Sequence, residues 1–306
     1  MRRTVCYHGG AVLRIPLILL LAALPALPWG FAAHKAGGRV TAGLLGPSAK
    51  ARVARILGVP NTPDALADAL AAASIWPDVE GRRNYPQAAP WHYINLSARY
   101  GFRDRPDPLR QPNTAYAKLI EYSGKLAAGK PDELEPGSDL KYLIHIAQDV
   151  HQPLHAGGNS DRGGNCLLVN HPSKNLHAAW DYGLLEERVG SDDRALAARL
   201  MAALNSWSPA RRRTGEAVPS GLPSWFRQWL AESRDLAWKH AYAPLRPRVP
   251  KYPPRNVSSC EEVSELYRTT VWQLPPSYRN QAAPVMEERL LVGSVRLAAL
   301  LNRIWP

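Results

Sequence analysis

The sequence predicts an all-α protein folded as a single domain, and three observations carry that reading. Apolar residues recur at a spacing near 3.6 along most of the chain, strand-like alternation is scarce, and no segment is long and polar enough to link separate domains. The 306 residues, 45% of them hydrophobic, can bury a sizeable core, which excludes global disorder. The sequence has neither an internal repeat nor a glycine-rich phosphate loop.

Residues 1–28 read as a targeting segment. Arg2, Arg3 and Arg14 precede an apolar run over 15–23 that is too short to cross a bilayer comfortably as a helix. This charged-then-apolar order matches a secretory signal, the alternative being an uncleaved anchor. Residues 29–306 are then the mature chain, expected to be secreted or periplasmic. Further along, Thr62 caps and Pro63 opens a helix that continues over 65–75. Helical spacing returns over 114–128, 139–152, 192–205, 223–242, 261–274 and 283–304. The intervening stretches 103–112, 157–164, 208–221 and 243–255, rich in Pro, Gly and Arg, are expected to be surface loops.

The net charge is +12, and removing residues 1–28 takes away three arginines and no acid, so the mature chain stays basic. Such a balance favours polyanionic partners, nucleic acid or anionic lipid, without choosing between them. Of the three cysteines, Cys6 falls in the targeting segment. Cys166 and Cys260 remain, to pair in an oxidising compartment or to stay as two buried thiols.

The chemistry concentrates in Leu143-Ile144-His145-Ile146-Ala147-Gln148-Asp149-Val150-His151-Gln152-Pro153-Leu154-His155. His145 and Asp149 lie one helical turn apart and share a face, so they can grip one metal ion. Pro153 is expected to end the helix and let His155 turn back towards the same place. His177 and Asp181 repeat the spacing. A lone His/Asp pair is usually a surface pair, but two pairs and a third histidine favour ligation. Imidazole and carboxylate without thiolate favour zinc in a catalytic site. Trp76-Pro77-Asp78, Trp91-His92-Tyr93-Ile94-Asn95 and Trp29-Gly30-Phe31-Ala32-Ala33-His34 add further candidates. Each is unremarkable alone.

Together with the loop Asp161-Arg162-Gly163-Gly164-Asn165 and the terminal Gly293…Arg296-Leu297-Ala298, these segments resemble the zinc-dependent single-strand nuclease and 3′-nucleotidase family, which is related to bacterial zinc phospholipase C. The likeness covers nearly the whole mature chain. It implies a many-helix domain around a trinuclear zinc cleft over 29–306. The first zinc would be held by Asp78, His92, His145 and Asp149. The second would take Trp29, through its free amine and carbonyl, with His34 and the bridging Asp149. The third, more open zinc would take His155, His177 and Asp181. His151 is expected to pack rather than ligate, and His171 and His240 to lie at the surface.

The implied activity is hydrolysis of single-stranded DNA and RNA to 5′-phosphate products and removal of 3′-phosphate from nucleotides, with a metal-bound hydroxide as nucleophile. Tyr93, Asn95 and Asn165 are the candidate substrate-binding residues. Tyr93 is placed to stack a base, with core packing as the alternative. Three positions depart from the family pattern. Ala33 stands where Gly is usual, Asn95 where Asp is common, and Gly81 where an Arg is common, with Arg82 or Arg83 as its replacement. A phospholipase C-like lipid hydrolase is the second reading, and a non-catalytic exported zinc or nucleic-acid binding protein the third. The short gap from Trp29 to His34 and the last ligand Asp181 favour the nuclease branch.

Overall fold

In the computed structural model, residues 29–97, 108–255 and 257–306 are described. The expected targeting segment 1–28 and the first half of the expected loop 103–112 lie outside them. Helix α1 (Phe31–Leu44) is rich in small residues, and it packs on α3 (Pro63–Ile75), with α2 (Pro47–Leu57) between them in sequence. A short α4 (Glu80–Asn84) leads to α5 (Ala115–Ala127), whose Thr114 caps it by accepting from the Ala117 amide. Helix α5 lies against α6 (Ser138–Asp149), which is almost wholly buried. After α7 (Pro153–Ala156) and α8 (Leu176–Ala178), a π turn over Ala179–Gly183 runs into α9 (Leu184–Val189). Then follow α10 (Asp193–Asn205), α11 (Pro209–Glu216), α12 (Leu222–Leu236) with its π extension Ala237–Tyr242, and α13 (Glu265–Thr269). The last helix, α14 (Tyr278–Ile304), contacts α1, α6, α9 and α11.

The apolar core has two lobes. One gathers α3, α5, α6, α12 and the end of α14, with Trp91, Tyr122, Tyr142 and Trp229 at its centre. The other gathers α1, α10 and the first half of α14 around Trp29, Trp180 and Tyr242. Two short parallel pairings stitch distant segments together, Leu96–Ser97 with Gly157–Gly158 and Leu168–Val169 with Val271–Trp272. Cys166 and Cys260 are joined in a disulfide.

The architecture is all-α as expected, with local differences. The helix expected over 139–152 stops at Asp149. Pro153 does not end it but opens α7, where a first-turn proline is tolerated and the Gln152 side chain accepts from the Leu154 amide at 2.5 Å. The helix expected over 261–274 is broken after Thr269. A β-branched run, Thr269-Thr270-Val271, favours extended backbone there, and Val271–Trp272 pairs with Leu168–Val169. The expected loop over 208–221 contains α11. Ser208 caps it and Pro209 starts it, but it buries no residue, so no apolar stripe announced it. Helix α14 begins five residues before the expected 283. His171 and His240 are half-buried rather than exposed, and His171 faces Glu187 at 3.0 Å.

Candidate metal centre

The one-turn spacing on α6 does what the sequence requires, placing His145 and Asp149 side by side and fully buried. His145 Nδ1 donates to the Ser74 carbonyl at the end of α3 (2.6 Å), leaving Nε2 to face Asp149 Oδ2 at 3.0 Å. His92 closes a 3-10 segment, Pro86–His92, and its Nδ1 lies 2.8 Å from His145 Nε2 and 3.1 Å from Asp149 Oδ2. Asp78, in the turn Trp76–Asp78, presents Oδ2 to His145 Nε2 at 3.7 Å while its Oδ1 accepts from Arg82 at 3.0 Å. From the opposite side, His34 on α1 brings Nε2 to 3.3 Å from Asp149 Oδ1, with Nδ1 2.6 Å from Gln148 Oε1. The two oxygens of Asp149 therefore face different ligand groups.

A third set sits beside these. His155 Nδ1 donates to the His92 carbonyl (3.0 Å), and its Nε2 lies 3.4 Å from Asp181 Oδ1. His177 Nδ1 donates to the Gly163 carbonyl (2.8 Å), and its Nε2 lies 3.2 Å from Asp181 Oδ2. Their rings stack at 5.0 Å. Gly163 has φ +62°, and a Cβ there would lie 2.4 Å from the Leu154 carbonyl, so only glycine can present this carbonyl to His177. For His145, His155 and His177 a backbone carbonyl thus fixes the tautomer and leaves Nε2 free to act as a ligand atom.

These residues fit a group of cations. Three sets of ligand atoms cluster tightly: His34 with His145 and Asp149, Asp78 with His92 and His145, and His155 with His177 and Asp181. Buried within them, His34 Nε2, Asp78 Oδ2, Asp149 Oδ1, His155 Nε2 and Asp181 Oδ2 have no hydrogen-bond partner. Orphaned buried polar atoms are costly, and so many in one place are explained by ligation. The electrostatics agree. Burial opposes ionisation of Asp149, but His145 and His155 hold its carboxyl well below the usual range. Burial would lower His145 and His155 as well, yet the carboxylates facing them raise His145 to about 8 and His155 to about 9. The site is built to hold positive charge.

Every histidine and aspartate expected to ligate is brought together. Trp29 is fully buried, its indole donating to the Gln148 carbonyl (3.2 Å), and the next amide, Gly30, donates to the Asp181 carbonyl (2.8 Å). Residues 29 and 30 thus lie between two segments that carry candidate ligands. His151 is no ligand. Its Nδ1 donates to the Ala147 carbonyl and its Nε2 accepts from Arg296 at 3.2 Å. Tyr93, 41% exposed, and Asn95, on left-handed backbone (φ +53°), line a cleft of about 420 Å³ with Arg162 and Gly163. The ligands do not line this cleft. They lie behind it, reached through Tyr93 next to His92 and through Gly163 on His177. Asn165 is set back from the cleft, its amide donating to the Arg162 carbonyl.

Sequence reasoning missed the supports. Gln152 Nε2 donates to Asp181 Oδ1 at 2.6 Å, steering the other oxygen towards His177. A glutamine between two ligands of one motif was the available signal. Arg82, not Arg83, reaches the centre, since Arg83 turns to Asn84. Gln152→Ala is expected to weaken metal binding by the His155, His177 and Asp181 set by roughly 10–100-fold, as loss of such supports does elsewhere. Calorimetric titration of metal-free protein checks this, and unchanged affinity would remove Gln152 from the site.

Fold and site together define a helical metal-dependent hydrolase. Comparison with known proteins narrows the class. The family model described as S1/P1 Nuclease matches residues 29–306. Endonuclease 5 of Arabidopsis thaliana is 28% identical over 304 residues, covering 92% of this chain and 91% of that one. Endonuclease 2 of the same plant is 26% identical, covering 96% and 97%, and Nuclease S1 of Aspergillus oryzae is 25% identical, covering 90% and 91%. The chain belongs to the S1/P1 nuclease family, and it is a hydrolytic nuclease acting on nucleic acid.

Proposed function

We propose that this chain is an exported enzyme holding three zinc ions, which cleaves single-stranded DNA and RNA to 5′-phosphate products and removes 3′-phosphate from nucleotides. The observation that carries the proposal is the set of orphaned, buried ligand atoms shared among three contiguous His/Asp sets. Asp78, His92, His145 and Asp149 would hold one ion, Trp29, His34 and Asp149 a second, and His155, His177 and Asp181 a third. Bound there, such ions supply Lewis acidity, which activates water near neutral pH and neutralises charge building on phosphate oxygens.

The protein's own residues do the positioning. The Ser74, His92 and Gly163 carbonyls fix the imidazoles, and Gln152 fixes Asp181. Arg82, its side chain 32% exposed at the edge of Asp78, offers a fixed positive charge to a substrate phosphate. The exposed Tyr93 ring is a stacking platform for an unpaired base, and Asn95 displays both a donor and an acceptor. A base must leave a duplex to reach Tyr93, which favours single strands.

The decisive assay sets chelator-sensitive release of nucleotides from denatured DNA, RNA and 3′-AMP beside hydrolysis of phosphatidylcholine. Turnover of the lipid alone would transfer the chain to the phospholipase reading. Binding of zinc with turnover of neither would leave a non-catalytic protein. The same preparation tests the start of the chain. Residues 1–28 are proposed to be removed, and Trp29 ligates only with a free amine, because an amide nitrogen binds zinc poorly. Protein retaining Leu27-Pro28, the product of cleavage after Ala26, should carry less zinc and work more slowly than protein beginning at Trp29. Equal zinc content in the two forms would exclude Trp29 as a ligand.

A further inference from the structure

Many arginines on this surface are neutralised locally. Arg188 and Arg199 pair with Glu287, Arg211 with Glu288, Arg212 with Glu216, and Arg39 and Arg194 with Asp68. The segment 243–255 breaks this pattern. It carries Arg246, Arg248, Lys251 and Arg255, all exposed, and no acidic residue. Among the described residues none of the four forms an ion pair with a carboxylate, and neither does the exposed Arg162 on the facing loop.

These charges are displayed on stiff backbone. Five prolines (Pro244, Pro247, Pro250, Pro253 and Pro254) restrict the segment. Asn159 donates to the Pro250 carbonyl (2.8 Å) and accepts from the Tyr252 amide (2.9 Å). Ser160 donates to the Pro253 carbonyl (2.8 Å) and accepts from the Arg255 amide (3.1 Å). Lys251 is seated 4.3 Å over the Trp238 ring. The segment ends in the cleft itself, where Pro254 and Arg255 stand opposite Tyr93 and Asn95. Ser160, held by those bonds, and Arg162 take left-handed backbone (φ +58° each), a conformation unusual for side chains of their kind.

We propose that segment 243–255 is a phosphate rail, which binds the backbone of a single strand beyond the linkage being cut. The inference rests on the nuclease activity and adds to it a contact surface for polymer alone. Preorganised cations lose little entropy on binding, and from Arg248 to Arg255 an extended segment reaches up to about 25 Å past the cleft. A strand several nucleotides long touches the rail. A dinucleoside monophosphate fills the cleft and does not.

The test is the double reversal Arg248→Glu/Lys251→Glu, two positions outside the cleft lining. For a single strand of about 20 nucleotides, KM at low salt should rise about tenfold or more. The slope of log KM against log salt should flatten by about 1.4, since each lost phosphate contact on a single strand removes about 0.7. Turnover of the dinucleoside monophosphate and metal content should stay unchanged. The control Arg213→Glu/Arg303→Glu alters two exposed cations on elements that line no part of the cleft, and it should leave the polymer KM as it was. An unchanged polymer KM and slope, or an equal shift in the control, overturns the rail. So does a parallel loss on the dinucleotide, which would make the segment a support of the site. If the reversal does not fold, Arg248→Gln/Lys251→Gln decides the matter by the same readings at smaller amplitude. Wild-type protein that cuts neither substrate would instead sink the nuclease activity on which the inference rests.

Discussion

Asp149→Asn will abolish turnover, lowering kcat on single-stranded DNA by about 10³-fold or more. The reason lies in how many groups this one carboxylate serves. Its Oδ2 is 3.0 Å from His145 Nε2 and 3.1 Å from His92 Nδ1, while its Oδ1 is 3.3 Å from His34 Nε2. An amide has nearly the same shape, so the helix and its packing should survive, as circular dichroism can verify. It offers only one oxygen, however, and turns N–H donors towards ring nitrogens that need a cation. The two ligand groups that share Asp149 should lose metal together, whereas His155, His177 and Asp181 keep theirs. Elemental analysis beside single-turnover kinetics measures both effects. Wild-type turnover, or full metal content, would show that Asp149 bridges nothing.

The second large effect is expected at residues that are not themselves candidate ligands. Arg289 and Arg296 on α14 are buried, 5% and 9% exposed, and both reach Glu232 on α12, at 2.9 and 2.7 Å. Burial pulls Arg289 down to about 10, still charged at neutral pH. Burial works against the Glu232 carboxylate too, but Arg296 and Arg289 hold it at about 2. Glu232→Gln leaves two buried cations without a counter-charge. Because the Glu232 side chain is 30% exposed, the loss is placed at about 2–3 kcal/mol at pH 7, below that of a wholly buried pair. The urea midpoint should fall accordingly. Glu232 is depressed in the folded state, so its contribution is complete above its ordinary value near 4.5 and drains away as pH falls towards 2. The gap between wild type and Glu232→Gln should therefore shrink by more than half at pH 3. Equal gaps at both pH values would remove the carboxylate from the stability of the fold.

The two predictions meet at the same short segment. Ser233, next to Glu232, donates to the Val150 carbonyl at 2.6 Å and accepts from Arg289 at 3.0 Å. Arg289 also donates to the His151 carbonyl, and Arg296 to the His151 ring. Burial together with Arg289 and Arg296 holds that ring well below its usual pKa, so it is neutral. Gly293 lies flat against it, where a Cβ would meet the imidazole at 3.1 Å. The turn between Asp149 and His155 is thus pinned from below by α12 and α14.

How far this was legible in the sequence depends on the range of the interaction. His145 with Asp149 and His177 with Asp181 are one turn apart, so spacing alone placed each pair on one face. The order of the segments then pointed to the His and Asp residues that the structure brings together. The helix start at Pro63 was legible from its first-turn proline, although Thr62 makes no side-chain cap bond, and the helix over 115–127 was legible from its apolar spacing. Helix α11 was not, because it buries nothing, and the end of 261–274 was not, because Val271–Trp272 answers to Leu168–Val169 about a hundred residues away. The supports were hidden for a related reason. Gly293 and Arg296 could be read as part of a motif, but their partner is an uncharged histidine held by backbone carbonyls, and no pattern of charge or period announces that.

Synthesis runs from the amino end, and every candidate ligand from His34 to Asp181 emerges first. What braces the turn between Asp149 and His155 emerges later, Glu232 and Ser233 first and then Arg289, Gly293 and Arg296. Between the emergence of Asp181 and that of Arg296 the chain therefore carries every candidate ligand without the residues that brace the turn. A chain truncated before Tyr278 would still display every candidate ligand while lacking Arg289, Gly293 and Arg296, so the histidines by themselves do not certify a braced centre.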